Sequence, residues 1–335
     1  MIKIDLKIEE IVRCLRDAYG LNVDKLSYLP LGGDLNTAVY RVATRNKGDY
    51  FLKLRCGEFN EASVMVPKYL ADIGFKQVIS PITTVTGGLW NQLASFNVVL
   101  YPYIDGSNGI EVNLSDQQWI EFGKTMKKFH SAAIPSVITR GVPRETFSSK
   151  WRKTLRTFLH RIECEFIEDP VAADMAFFLK SKSKEILKLI GHAENLAQFL
   201  QKQPFEYILC HADIHGWNVL VDKAGLLYVV DWDTLVFAPR ERDLMFIGAS
   251  IGETGRSPLE EEKLFYRGYG SKNVNTHAIA YYRFERVIED IGVYGEQIFF
   301  SSEHEEDRMQ SFENLKSNFL PNGTIERAYQ SYKPV

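Results

Sequence analysis

The first third of the chain mixes two hydrophobic periods. Residues 7–20, KIEEIVRCLRDAYG, place apolar side chains at helical spacing and stop on Gly20, which predicts a helix. KLSYLPL (25–31), TAVYRVAT (37–44) and DYFLKLRC (49–56) read as strands, separated by the hairpin-type breaks GGDLN and RNKGD. EFNEASVMVPKYLADIG (58–74) has a helical pattern, with Pro67 expected to kink or split it. FNVVLYPYIDG (96–106) is a strand that runs into an extended segment and a glycine turn.

The texture then changes. SDQQWIEFGKTMKKFHSA (115–132) opens on Ser115, a good N-cap, and continues at helical period. Helical patterning extends to about residue 200, and the chain beyond Glu241 is again mainly helical. Between them lies a β-rich insert, YILCHADIHGWNVLVDKAGLLYVVDWD (207–233), with a hairpin turn at 223–225. The pattern predicts an α+β fold of two lobes: a small β-rich N-terminal lobe (1–104) with a hinge near 101–105, and a large helical C-terminal lobe (105–335).

Composition narrows the classes. The 335 residues are 45% hydrophobic, enough for a large core, and the net charge of −3 gives no electrostatic footprint for nucleic acid. Cys14, Cys56, Cys164 and Cys210 are widely spaced without a CxxC pair, so free thiols in a reducing compartment are expected. No apolar run approaches membrane-spanning length, and the expected setting is the cytoplasm, without membrane attachment and with a monomer favoured.

The candidate chemistry sits in LCHADIHGWNVL (209–220). His211 and His215 invite a zinc reading, but Gly216 and Trp217 oppose a helix there and no Cys/His cluster completes the ligand set. The following segment, LLYVVDWDT, ends an apolar strand in Asp231 and Asp233, which as strand alternates would share a face. With Asp213 and Asn218 these make an oxygen-rich cluster of the kind that suits Mg²⁺ on substrate phosphates. The D-x4-N spacing of Asp213 and Asn218, followed by an acidic strand end, is the arrangement of phosphoryl-transfer enzymes. No D-F-G or A-P-E follows, which separates the chain from protein kinases.

The segment HADIHGWNVLVD…LYVVDWDTLVFAPRERDL resembles the catalytic loop, metal strand and following loop of the aminoglycoside phosphotransferase and choline kinase group. Within that group the whole sequence is most similar to members that phosphorylate the aminocyclitol spectinomycin. The resemblance implies a protein-kinase-like fold, ATP and Mg²⁺ as cofactors, and a cationic aminocyclitol or amino sugar as acceptor. Choline, homoserine and methylthioribose kinases share the same loop and stay open as alternatives. By the same resemblance Asp213 is the catalytic base, Asn218 and Asp231 hold Mg²⁺, and Asp233 assists at the metal or orders the loop. His211 and Asp243 brace that loop, while His215 has no assigned role.

In the N-terminal lobe the resemblance makes Lys53 the strand lysine of the nucleotide phosphates. Glu61 is its expected helix partner, with Glu58 in reserve. Gly32, Gly33 and Asn36 would line the phosphates, and Tyr101, Tyr103 and Ile104 the adenine. For the acceptor, Trp217, Tyr281 and Glu285 are the candidates, with Tyr282, Glu289 and Asp290 nearby in sequence; core packing explains the rings equally well, and a solvated helix face is the simpler reading of the acids.

Overall fold

The computed structural model describes residues 6–31, 36–45, 48–249, 256–300 and 305–334. By internal contacts the chain forms two compact units, one of residues 1–143, 211–236 and 250–271, the other of residues 144–210, 237–249 and 272–335.

In the first unit, strands β1 (Val23–Leu29), β2 (Thr37–Thr44), β3 (Gly48–Cys56), β4 (Asn91–Leu93) and β5 (Phe96–Pro102) form an antiparallel sheet in the order β1-β2-β3-β5-β4. Helix α1 (Ile8–Tyr19) covers one face. Its Ile11, Cys14, Leu15 and Tyr19 pack with Val42, Leu52, Leu54, Val98 and Leu100 of the sheet. Each such aliphatic side chain taken from water contributes about 1.5–3 kcal/mol. The helix ends because Gly20 takes a left-handed conformation, φ 62°, that closes the last turn. Helix α2 (Ala62–Asp72) follows and runs through Pro67 without being split. Pro67 costs one helical hydrogen bond, and its ring is buried alongside Val64, Val66 and Leu70.

After β5 the chain forms a strand that the sequence pattern does not reveal, β6 (Gly106–Asn108). It pairs with β8 (Val219–Asp222), which pairs in turn with β9 (Leu227–Val229). Gly106 is required there: a Cβ would sit 2.2 Å from the Val221 carbonyl oxygen. This pairing ties the segment after residue 105 to the 219–229 hairpin, so the contact units follow a different partition from the 104/105 lobe boundary. Helix α3 (Asp116–His130) starts on Ser115, whose Oγ accepts from the Gln118 N–H. It lies against a later helix, Pro258–Tyr269, at two glycines; a Cβ on Gly123 would meet the Phe265 carbonyl oxygen at 2.1 Å, and one on Gly268 the Ile120 oxygen at 1.9 Å.

The second unit is helical: α4 (Lys150–Cys164), α5 (Pro170–Leu200), α6 (Glu241–Leu244), α8 (Thr276–Phe300), α9 (Glu305–Ser317) and α10 (Thr324–Ser331), the Pro258–Tyr269 helix of the first unit being α7. Short strands β7 (Ile208–Cys210) and β10 (Val236–Ala238) pair. The architecture is the expected α+β combination of an N-terminal sheet region and a helical C-terminal region. All four cysteines are free, Cys14 and Cys210 buried and Cys164 exposed. No helix among the described residues is long and apolar enough to cross a membrane.

Candidate active site

On β3 the side chains alternate. Leu52 and Leu54 point into the core under α1, while Lys53 and Arg55 leave the opposite face. The Lys53 ammonium lies 2.7 Å from Asp231 Oδ1 and 2.7 Å from Asp233 Oδ2. Arg55 Nη1 approaches the same Asp233 oxygen at 2.8 Å. Burial works against the Lys53 charge, but the two carboxylates outweigh it and hold the ammonium above its ordinary range. Burial likewise opposes ionisation of Asp231, and the adjacent Lys53 reverses that effect, leaving its carboxyl below the ordinary value.

Glu61, the expected partner of Lys53, is exposed at the start of α2, and Glu58 is exposed as well. The ion pairs of Lys53 are with Asp231 and Asp233 instead. A second expectation also changes. Strand β9 ends at Val229, so the two acids do not share a face by strand alternation. Asp231 instead adopts a left-handed conformation, φ 64°, and caps a 3₁₀ turn, Trp232–Thr234, that carries Asp233 back toward β3. For a non-glycine residue this conformation costs about 1–2 kcal/mol.

Between the acids, Trp232 is buried and anchors the turn. Its Nε1 donates to the Val229 carbonyl at 3.1 Å, and its ring meets Phe129 of α3 and His211 edge-on.

His211 is fully buried and links two segments. Its Nε2 donates to the Val230 carbonyl at 3.0 Å, and its Nδ1 accepts from the Asp213 N–H at 3.3 Å, a pattern that assigns the Nε2–H tautomer. Thr234 Oγ1 donates to the His211 carbonyl at 2.7 Å. Ala212, between His211 and Asp213, has φ 69°, the second strained non-glycine residue of the site. Asn218 Nδ2 donates to Asp213 O at 2.8 Å and to Asp213 Oδ2 at 3.2 Å. His215 Nε2 lies 3.2 Å from the same Oδ2. One carboxylate oxygen of Asp213 is therefore held by two side chains of its own loop.

The donor set suits a hard divalent cation. With the Asn218 amide nitrogen committed to Asp213, its Oδ1 is left as an oxygen donor, and the Asp231 side chain is 45% exposed. The Asn218 carbonyl accepts from the Val230 N–H at 3.0 Å, which sets Asn218 beside the turn carrying Asp231. An amide oxygen and a carboxylate, without imidazole or thiolate, match Mg²⁺, which completes its shell with water and phosphate oxygens.

The remaining expected residues divide. Gly32 and Gly33 lie outside the described residues, and Asn36 is exposed with its carbonyl accepting from the Cys56 N–H. Tyr101 is the penultimate residue of β5, where burial raises its phenol and the nearby Lys53 charge opposes the rise. The Tyr103 N–H is spent on the Asp49 carbonyl at 3.0 Å, and its ring lies under Arg41. Ile104 is half-buried. Trp217 is 56% exposed within the 3₁₀ turn Gly216–Asn218, one residue from Asn218.

In the second unit Tyr281 is 2% exposed and packs on Phe147 and Tyr282, and Glu285 is paired with Arg152. As placed, these are a core ring and a spent carboxylate, not an open aromatic face and a ready anion. Asp243 is fully buried in α6, near Cys210, whose thiol is raised by burial first and by Asp243 next.

Sequence reasoning did not single out Arg55 or Trp232. The signals were present: K-L-R alternation puts Arg55 on the face of Lys53, and D-W-D puts a large apolar ring between the two acids.

Residues 27–278 match the phosphotransferase enzyme family. Among solved structures, spectinomycin phosphotransferase APH(9)-Ia in complex with ADP and spectinomycin is 34% identical, with 98% of this chain and 99% of that chain covered and a TM-score of 0.89. The AMP-bound complex of the same enzyme gives 34% identity, 98% and 100% coverage, and a TM-score of 0.86. The macrolide 2′-phosphotransferase MphH from Brachybacterium faecium, 17% identical over 92% of this chain and 97% of its own with a TM-score of 0.55, shares the fold. No match was found among curated protein sequences.

Proposed function

The chain belongs to the phosphotransferase enzyme family, whose members phosphorylate hydroxyl groups of small molecules, and from that premise we propose that it transfers the γ-phosphoryl group of ATP to a hydroxyl of spectinomycin and so confers resistance to it. The observation that carries this reading is the 34% identity, spread over 98% of the chain, to an enzyme solved with ADP and spectinomycin. Choline- and ethanolamine-kinase structures are similar at 14–16% identity, which supports the fold and no acceptor.

In this assignment residues 1–104 form the nucleotide lobe and Tyr101, Tyr103 and Ile104 the adenine-side connection. The Lys53 ammonium contacts the phosphates of ATP. Asn218 Oδ1 and the Asp231 carboxylate would hold Mg²⁺, which when bound neutralises charge on the phosphate oxygens. Asp213 orients the acceptor hydroxyl and takes its proton. The hydroxyl oxygen forms the new bond to the γ-phosphorus, the bond to the β–γ bridging oxygen breaks, and ADP departs with that electron pair. Holding Asp213 Oδ2 through Asn218 and His215 fixes the carboxylate before the acceptor arrives, so the contribution is mainly one of positioning. Trp217, exposed beside this loop, offers a face to the rings of the acceptor.

An acceptor panel tests the proposal. Release of ADP from ATP is followed with spectinomycin, other aminoglycosides, choline, ethanolamine, homoserine and methylthioribose in turn. Spectinomycin-dependent release, with phosphate located on the product, is the expected outcome. Release with another acceptor and none with spectinomycin overturns the substrate assignment.

A further inference from the structure

Asp233 stands where a second metal carboxylate was expected, yet its surroundings are those of an anion already neutralised. A single oxygen, Oδ2, receives the Lys53 ammonium at 2.7 Å and the Arg55 guanidinium at 2.8 Å. Its side chain is 19% exposed, against 45% for Asp231. An oxygen shared by two full positive charges offers little to a third, divalent cation.

The two cations are placed by the strand itself. Lys53 and Arg55 are alternate residues of β3, opposite Val39 and Thr37 of β2 and Val99 and Asn97 of β5, so neither can change face without breaking the central pairing of the sheet. Asn97 Nδ2 donates to the Arg55 carbonyl, which adds a side-chain hold at that position. The helix acid that would orient the lysine, Glu61, is exposed and not paired with it.

We propose that Arg55 is a positioning residue of the nucleotide site: it holds the Asp233 carboxylate, and Asp233 fixes the Lys53 ammonium, the part expected of an acid on α2. Arg55 suits the task because its charge is permanent and its planar donor fork keeps a carboxylate in one orientation. Without it, Asp233 loses its second anchor and Lys53 is drawn between two carboxylates with no preference that favours the phosphates. The inference rests on the assignment of Lys53 to the nucleotide.

The test is calorimetric titration of ADP and of a non-hydrolysable ATP analogue, with Mg²⁺ varied, into the full-length wild type and the variants R55M, R55K, D233N, R55M/D233N and D231N. Melting temperatures accompany each titration. R55M is expected to weaken Mg²⁺–nucleotide binding about tenfold, the effect of losing one hydrogen bond between charged groups, with R55K recovering only part of it, because lysine keeps the charge and loses the planar fork. D233N should weaken binding similarly, and the double variant should bind no more weakly than D233N, because both substitutions break one chain of contacts. The Mg²⁺ midpoint should move in D231N and stay near wild type in R55M and D233N.

Wild-type affinity in R55M, multiplied losses in the double variant, or a midpoint shift in D233N as large as in D231N would each overturn the proposal. If R55M does not fold, D233N carries the test through its metal midpoint. A wild type that binds no nucleotide overturns the underlying assignment of the site, an outcome distinct from a failure of the variants alone.

Discussion

Glu285→Gln separates a core role for Glu285 from a role in holding the acceptor. Glu285 lies on α8 and is buried to 14% side-chain exposure. The charged groups around it are Arg152, Glu289 and Glu145, with the Tyr281 phenol close by. Arg152 bonds Glu285 through Nη1 and the carbonyls of Phe147 and Ser148 through Nη2, while Glu289 accepts from Trp151 Nε1. Burial is the largest influence on Glu285; Arg152 opposes it, Glu289 and Glu145 add to it, and the carboxyl is raised from 4.5 to about 7.

The folded protein therefore holds a proton on Glu285 that the unfolded chain has released. Stability from this group is greatest at low pH and declines as pH rises from the unfolded value through the folded one. Integrating between roughly pH 5 and pH 8 gives a loss of about 2–3 kcal/mol from this one residue.

Glutamine keeps the oxygen facing Arg152 and does not ionise. Urea unfolding of wild type and Glu285→Gln should therefore diverge, the variant gaining about 2–3 kcal/mol on wild type between the two pH values. The KM for the acceptor should be unchanged. Parallel stability–pH curves would refute the reasoning, and parallel curves with a large rise in acceptor KM would place Glu285 in the acceptor site.

Two further outcomes bear on the catalytic loop and its support. Asp213→Asn should lower turnover by about 10²–10⁴ while nucleotide affinity stays near wild type, read by steady-state kinetics and calorimetry; wild-type turnover would remove Asp213 from the mechanism. Gly268→Ala forces a methyl carbon to within 1.9 Å of the Ile120 carbonyl oxygen, and overpacking of this kind costs about 1–3 kcal/mol. Chemical unfolding should show that loss, and an unchanged midpoint would mean that α3 and α7 part without penalty.

Much of this protein is legible along the chain because local chemistry is enough to write it. The alternating segments become β2 with the expected limits and β3 one residue longer at its start, Ser115 caps α3, and Gly20 ends α1, since pleat, N-cap and left-handed closure each depend on neighbouring residues alone. The D-x4-N spacing is likewise local, and it folds into a loop in which Asn218 reaches back to Asp213.

Long-range electrostatics and backbone strain were decided elsewhere. No periodicity states that Lys53 meets acids 178 and 180 positions away instead of one on the next helix. That choice depends on Asp231 accepting a left-handed conformation, which the packing of Trp232 against Phe129 and His211 and its bond to the Val229 carbonyl help to hold in place. Nor does sequence distinguish a tyrosine that stacks on a ligand from one that fills a core. Tyr281 carries the same helical spacing in either case, and the neighbours that bury it, Phe147 and Tyr282, face it only once the helices have packed. Residue types and spacings name the chemistry a chain is equipped to do. Which groups share a charge, and which are consumed by the core, is set when distant segments compete for the same few ångströms.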